Sequence, residues 1–271
     1  MENVKTPYRA VHNLEALGLE EDSRRIRILW MYPDSLSIHG GRGDIMALMR
    51  FATMAKIPVE IRRVDLLTDP VPLDQADMLY FCCGDLTCMG DVIKALEPCK
   101  DALKDFAARG KVIVANGSSG AVLARDLTML DGTVISGLGL LGMHWKQRDS
   151  VRGNDLWLDA VDGMEIVGNE IKLAEITLDP DQKPFGTVRY GHGNNGGKDE
   201  GAVTGNVIYT SCLGPVLVRN PVFAMNLLHR AAVAAGMEAK SEQFSLKQEM
   251  IPHETACLEE AKIFIRKKME K

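Results

Sequence analysis

Three stretches of this sequence carry side chains able to do chemistry. The first is Lys111 to Ala124, KVIVANGSSGAVLA, where Ser118 and Ser119 sit between Gly117 and Gly120. Val112, Ile113, Val114 and Ala115 form a short, continuous apolar run of strand type. Five turn formers follow, and then an apolar run that reads as a helix over 121–127. Such a turn sets backbone N–H groups at the carboxyl end of a sheet, where α/β folds hold nucleophiles and anions. The pentapeptide from Gly117 to Ala121 fits a loose G-x-S-x-A elbow with Ser119 at its apex. Ser119 or Ser118 is therefore a candidate nucleophile of a serine hydrolase or amidase. The competing role is capping of the helix that follows. A serine nucleophile needs a base, and the histidines considered, His144 and His192, lie in loop-like stretches.

The second stretch is Cys82-Cys83-x4-Cys88, part of a set of six cysteines with Cys99, Cys212 and Cys257. No second Cys or His pair with zinc-site spacing accompanies it, so reduced thiols in or near a core are expected, and no metal or cofactor. The third is HGGRGD, from His39 to Asp44, between a strand and a helix. It lacks the G-x-G-x-x-G pattern and a Walker lysine. It reads as a connection that lets the helix pack on the sheet.

These stretches hang on a regular rhythm. Strands are expected at Arg27–Tyr32, Val59–Val64, Met78–Cys83 and Val112–Ala115, with helices from Asp44 to about Ile57 and from Asp91 to Ala108, the latter broken near Pro98. That order is the signature of a mostly parallel sheet covered on both faces. After Leu130 the texture changes to short strand pieces at 156–158, 164–167 and 171–178 and a polar loop, Tyr190 to Gly201. A strand at Val207–Thr210 and a helix from Pro221 to Ala235 with Gly236 just past its end follow. Residues 1–24 read as an N-terminal arm in which Leu14, Leu17 and Leu19 dock a short helix. The rest, 25–271, reads as a single domain ending in a basic-ended amphipathic helix, Glu254–Lys268, whose apolar residues include Phe264.

The composition sets limits. The chain has 271 residues, 46% apolar and 25% charged, and a formal net charge of −5. A core of ordinary size is expected without staples. The acidic balance and the lack of a basic cluster argue against nucleic acid as the main partner. No signal-peptide core and no run of ~18 apolar residues is seen, so a cytoplasmic protein without a membrane span is expected.

The arrangement resembles the class I glutamine amidotransferase domain of the CobB/CobQ type, most nearly the GatD subunits of lipid II isoglutaminyl synthase. The resemblance runs from about Arg27 to the tail. It rests on Gly43–Asp44, Asp131–Gly132–Thr133, Gly137–Leu138–Gly139, Tyr190–Gly191…Asn194–Asn195 and Gly214–Pro215. It implies a three-layer, flavodoxin-like α/β fold with a mostly parallel central sheet. It also implies that Gly117 stands at the family's cysteine position, Leu213 at the histidine of its His-Gly-Pro, and Cys82-Cys83-Gly84 at its Gly-Gly-Gly oxyanion segment. Glutamine hydrolysis needs a thiolate, a base and oxyanion donors. Glycine supplies no nucleophile and leucine no proton acceptor, so a domain without glutaminase activity is expected. Cys212 lies beside the lost histidine position as a lone thiol. Ser118, Ser119, Gly84, Arg152, Asn194 and Asn195 are the expected binding residues. Arg148 or Arg152 falls where the family places an arginine associated with glutamine, and a small anionic ligand is expected at the turn. The implied partner is a Mur-ligase-like synthetase acting on a cell-wall precursor. A small-molecule module that senses glutamine or another amino acid is the remaining alternative.

Overall fold

The structure, a computed structural model, describes residues 10–270; residues 1–9 of the expected arm and Lys271 lie outside them. The chain opens with β1 (Ala10–His12) and a single turn, α1 (Leu14–Leu17). Then come β2 (Ile26–Met31), α2 (Gly41–Met54), β3 (Val59–Val64) and β4 (Met78–Phe81). α3 (Met89–Leu96) and α4 (Lys100–Ala108) are separated by a tight turn at Pro98, which cannot donate a helix hydrogen bond. β5 (Val112–Asn116) leads into α5 (Gly120–Leu123). Five strands follow: β6 (Asp126–Thr128), β7 (Val134–Ser136), β8 (Met143–Ala160), β9 (Glu165–Leu178) and β10 (Gly186–Tyr190). β11 (Asp199–Glu200), β12 (Ala202–Thr204) and β13 (Val207–Thr210) precede α6 (Val216–Arg219), α7 (Pro221–Ala234) and α8 (Pro252–Met269).

The main sheet has the order β1-β3-β2-β4-β5-β13-β12. Its five inner strands pair in parallel and its two edges antiparallel. β4 and β5 are buried along their whole length, which is why they read as continuous apolar runs rather than alternations. The crossover from β2 to β3 steps one way along the sheet and that from β4 to β5 the other. Right-handed crossovers then put α2 and the α3–α4 pair on opposite faces. α7 packs against α2, completing three layers around one core. The expected mostly parallel α/β architecture is present.

A second, mixed sheet, β11-β10-β8-β6-β7 with β9 on β8, stands beside the first. Here the sequence expectations were too fragmentary. The pieces at 156–158, 164–167 and 171–178 belong to one long antiparallel hairpin, β8–β9. The helix expected over 121–127 is a single turn, after which Asp126–Thr128 pairs in parallel with β8. Within the stretch expected as an arm, β1 joins the edge of the main sheet, and buried Leu14 docks α1 while Leu19 stays exposed. Asn13 fastens that segment: its amide donates to Ile57 O at 2.9 Å and its Oδ1 accepts from Val59 N at 2.8 Å.

α8 lies on the second sheet through Ile265, which packs on Trp157 and Val167. Phe264, expected among the buried residues, is 55% exposed. Ile263, Phe264 and Ile265 are consecutive, so a helix can turn only part of that run inward.

Candidate functional site

The carboxyl ends of β4 and β5 lie side by side, with Phe81 level with Ala115. β5 ends at Asn116 and turns sharply into α5. The residue that makes this turn is Gly117, at φ +59°, a conformation that side-chain-bearing residues adopt at a cost. Ser119 is in the ordinary right-handed helical region. The apex of the elbow is therefore Gly117 and not Ser119.

The space in front of Gly117 is filled. A Cβ placed there would lie 2.5 Å from Cys83 Sγ, 2.8 Å from Leu213 Cδ2 and 3.0 Å from Cys83 Cβ. Cys83 follows β4, and Leu213 follows β13, so the two strands flanking β5 each send a side chain onto the apex. Leu213 is held there by an antiparallel bridge to β9, its N–H donating to Asn169 O at 2.7 Å and its carbonyl accepting from Asn169 N at 3.2 Å. The cavity beside the elbow measures about 20 Å³. Roughly 10–15 Å³ is what one water molecule needs, so the cavity matches a water and not an amino acid.

Neither serine is poised as a nucleophile. Ser118 Oγ donates to Gly84 O, and Cys83 Sγ lies 3.4 Å from it. Ser119 Oγ is within hydrogen-bond distance of Phe81 O at 3.0 Å and Asn116 O at 2.8 Å. Neither makes the side-chain cap expected for the following helix; both bond carbonyls and so fasten the elbow to its own strand and to β4. The histidines weighed as bases lie elsewhere. His144 sits between Asp126 (2.7 Å) and Asp179 (3.0 Å), and His192 Nδ1 pairs with the buried carboxylate of Glu170 at 2.8 Å. His39 is the histidine lining the elbow cavity. Burial pushes the thiols of Cys82, Cys83 and Cys212 up, so all three are protonated at neutral pH.

The other expected binding residues gather in a neighbouring crevice lined by Arg148, Arg152, Asn194 and Asn195, with Lys172 in the wall shared with the elbow cavity. Asn194 is buried and bonded at both ends of its amide to Gly201, at 2.9 Å each, which folds the loop back on itself. Arg148 pairs with Glu175 at 2.6 Å. Lys172 Nζ donates to the carbonyls of His192 and Gly193 and lies 3.2 Å from Glu170 Oε2. Gly84 and Ser118 are brought together at the elbow, and Arg152, Asn194 and Asn195 at the crevice. Among the described residues no His/Cys/Asp/Glu group is arranged to hold a metal ion.

Residues 27–220 match the family described as the CobB/CobQ-like glutamine amidotransferase domain. The chain belongs to that family. It is 25% identical over 221 residues to the lipid II isoglutaminyl synthase (glutamine-hydrolyzing) subunit GatD of Staphylococcus aureus (strain N315), across 80% of this chain and 88% of that protein. It is 27% identical over 210 residues to the GatD subunit of Streptococcus pneumoniae (strain ATCC BAA-255 / R6), across 76% of this chain and 80% of that one. Among solved structures it is similar to PurLQS from Thermotoga maritima, at 16% identity and a TM-score of 0.43, over 78% of this chain and 97% of that chain.

Two buried carboxyl groups of this amidotransferase domain escaped the sequence reading. Asp44, at the start of α2, accepts from Leu217 N at 2.7 Å and from Asn116 Nδ2 at 3.1 Å. It thus ties α2 to the elbow and to the segment after Leu213. Burial raises its carboxyl to about 7 against the pull of those hydrogen bonds. Asn116 Oδ1 is buried without a partner. Rotating that amide would let it accept from a protonated Asp44, a choice that only the hydrogen-bond network decides. Glu200 accepts from Thr210 Oγ1, Ser211 N and Ser211 Oγ, fixing the chain that carries Cys212 and Leu213; burial raises its carboxyl too. The Gly43–Asp44 motif was a visible signal for the first. Nothing local marked the second, since Glu200 and Ser211 meet only after β11 to β13 have formed.

Proposed function

We propose that this chain is a GatD-like subunit that does not hydrolyse glutamine and acts by binding a Mur-ligase-like amide synthetase in cell-wall precursor modification. The observation that carries this reading is the packing at the elbow. A thioester route needs a side chain at the apex, a base beside it and room for an amide. The apex is a glycine, Leu213 stands beside it, and Cys83 takes up the remaining space. The serine hydroxyls are engaged by carbonyls and lack a histidine partner among the described residues. The names of the two GatD relatives support the synthetase partner. The role left to the domain is structural or regulatory, through contact with the synthetase.

The test is co-expression with the Mur-ligase-like synthetase from the same source. A stable complex on size exclusion, with amidation fed by free ammonium and not by glutamine, is the expected result. Amidation supported by glutamine, or the absence of a complex, would overturn the proposal.

A further inference from the structure

Two Asn-Gly pairs occur in this sequence, Asn116-Gly117 and Asn195-Gly196, and the fold treats them in opposite ways. A glycine after asparagine leaves its main-chain nitrogen unshielded by a Cβ, so that nitrogen can reach the carbon of the asparagine's own side-chain amide. Asn116 ends β5 inside the core. It is 2% exposed, and its Nδ2 donates to Asp44 at 3.1 Å, so the amide is held and water is kept out. Asn195 stands at the tip of a turn closed by Gly193 N–H donating to Gly197 O at 2.9 Å, and both Asn195 and Gly196 are exposed. Its neighbour Asn194 is buried and spends its amide on Gly201, so Asn195 alone of the two is presented to water.

The turn also sets up the reaction. Gly197 N lies 3.4 Å from Asn195 Oδ1, an Asx-type contact that folds the side-chain amide back along the main chain following it. The same N–H is placed to stabilise the oxyanion that attack on the amide carbon would form. The Gly196 N–H makes a single bond, to Gly193 O at 3.2 Å, longer than the usual ~2.9–3.0 Å of an amide–carbonyl bond. Positive charge faces the turn. The β8–β9 register steps from Gln147 opposite Ala174 to Arg152 opposite Lys172, so residues 148–151 bulge out against Leu173 alone. Arg152, at the end of the bulge, sets Nη1 3.2 Å from where a Cβ on Gly196 would stand. Arg148 is already paired with Glu175, whereas the Arg152 side chain has no hydrogen bond or ion pair among the described residues.

We propose that Asn195 is a self-modification site, where the chain converts an amide into a carboxylate that pairs with Arg152. The main-chain nitrogen of Gly196 bonds to Asn195 Cγ and the Cγ–Nδ2 bond breaks. The side-chain NH₂ leaves with the Gly196 amide proton as ammonia, and a five-membered succinimide remains. One water then opens the ring, at one carbonyl to aspartate and at the other to isoaspartate. Either product is ionised at neutral pH, so the crevice gains one negative charge beside its unpaired guanidinium. Asn116, with the same following residue, is protected by its place in the core.

The test incubates the purified full chain at pH 8 and 37 °C and follows its tryptic peptides by mass spectrometry, with an isoaspartate methyltransferase reporting the iso form. The peptide holding Asn195 should show the mass gain of amide-to-acid exchange at least tenfold faster than the peptide holding Asn116. In urea, where both pairs are in unfolded chain, that difference should vanish. An unmodified Asn195, equal conversion of both residues in the folded chain, or a preference that persists in urea would each overturn the proposal. The pairing has its own readout. Phenylglyoxal should modify Arg152 at least threefold faster in the fresh chain than in the Asn195→Asp variant, whose side chain supplies the product's carboxylate at an exposed position. Equal modification of Arg152 in the two would overturn the pairing.

Discussion

If Cys83 occupies the room that a residue 117 side chain would use, adding a side chain at 117 and trimming Cys83 must be coupled. Gly117→Cys puts a Cβ at φ +59° and 2.5 Å from the Cys83 sulfur. The left-handed conformation costs about 1–2 kcal/mol, and overpacking a closed core costs about 1–3 kcal/mol. The single variant should therefore lose about 2–5 kcal/mol. Cys83→Ala removes a buried sulfur and should cost about 1 kcal/mol. In the double variant the sulfur clash is gone while the conformational cost remains, so the cycle should show a favourable coupling of about 1–3 kcal/mol. Urea unfolding followed by tryptophan fluorescence gives all four stabilities. Additivity within about 0.5 kcal/mol would refute the reasoning, because it would mean that the two positions share no space. The same geometry says that Gly117→Cys with Leu213→His is an incomplete restoration of a glutaminase while Cys83 keeps its side chain.

Other consequences can be measured on the same material. The His144 pKa is raised from 6.5, chiefly by the hydrogen bond to Asp126 and also by Asp179. Its stabilisation is full below 6.5 and is lost as pH climbs through the higher folded value, so His144→Gln should flatten the urea midpoint between pH 6 and pH 9. Asp44 has the sign of a buried acid. Its folded value of about 7 lies above the ordinary 3.8, so the folded state holds the proton more tightly and stability falls as pH rises between those values. Asp44→Asn should reduce that slope, and an unchanged slope would place the effect elsewhere. On α8, Ile265→Ala should cost about 2–5 kcal/mol and Phe264→Ala under about 1 kcal/mol, since only the former side chain is buried; reversed values by thermal melting would mean the helix is rotated.

The legible parts of the fold were those written in local chemistry. Val59–Val64 and Val207–Thr210 read correctly because each is a short run of strand formers bounded by loop residues. Pro221 and Gly236 marked the ends of α7, and Gly236 indeed takes the left-handed conformation. The β8–β9 hairpin did not read as one element because much of β8, from Lys146 to Asp155, is partly or fully exposed and carries polar residues on both faces. The apolar run after Gly120 was ambiguous in principle: a buried single turn and a buried strand look alike over so few residues. At the site, the elbow was legible from strand and turn signals, although its G-x-S-x-A pattern put Ser119 and not Gly117 at the apex. The filling of that apex was not. Cys83 and Gly117 are far apart in sequence, and they meet because β4 and β5 align in parallel with Phe81 beside Ala115. His192 read as part of a loop-like stretch, yet it is paired to the fully buried Glu170.

The most direct test of the central claim is ammonia release from glutamine by the purified chain, alone and with the synthetase added, followed by a coupled glutamate assay. The account predicts no release above the buffer blank in either case, unchanged by a thiol alkylator. Saturable release that the alkylator abolishes would contradict it, because a cysteine would then be working at a site whose apex is Gly117.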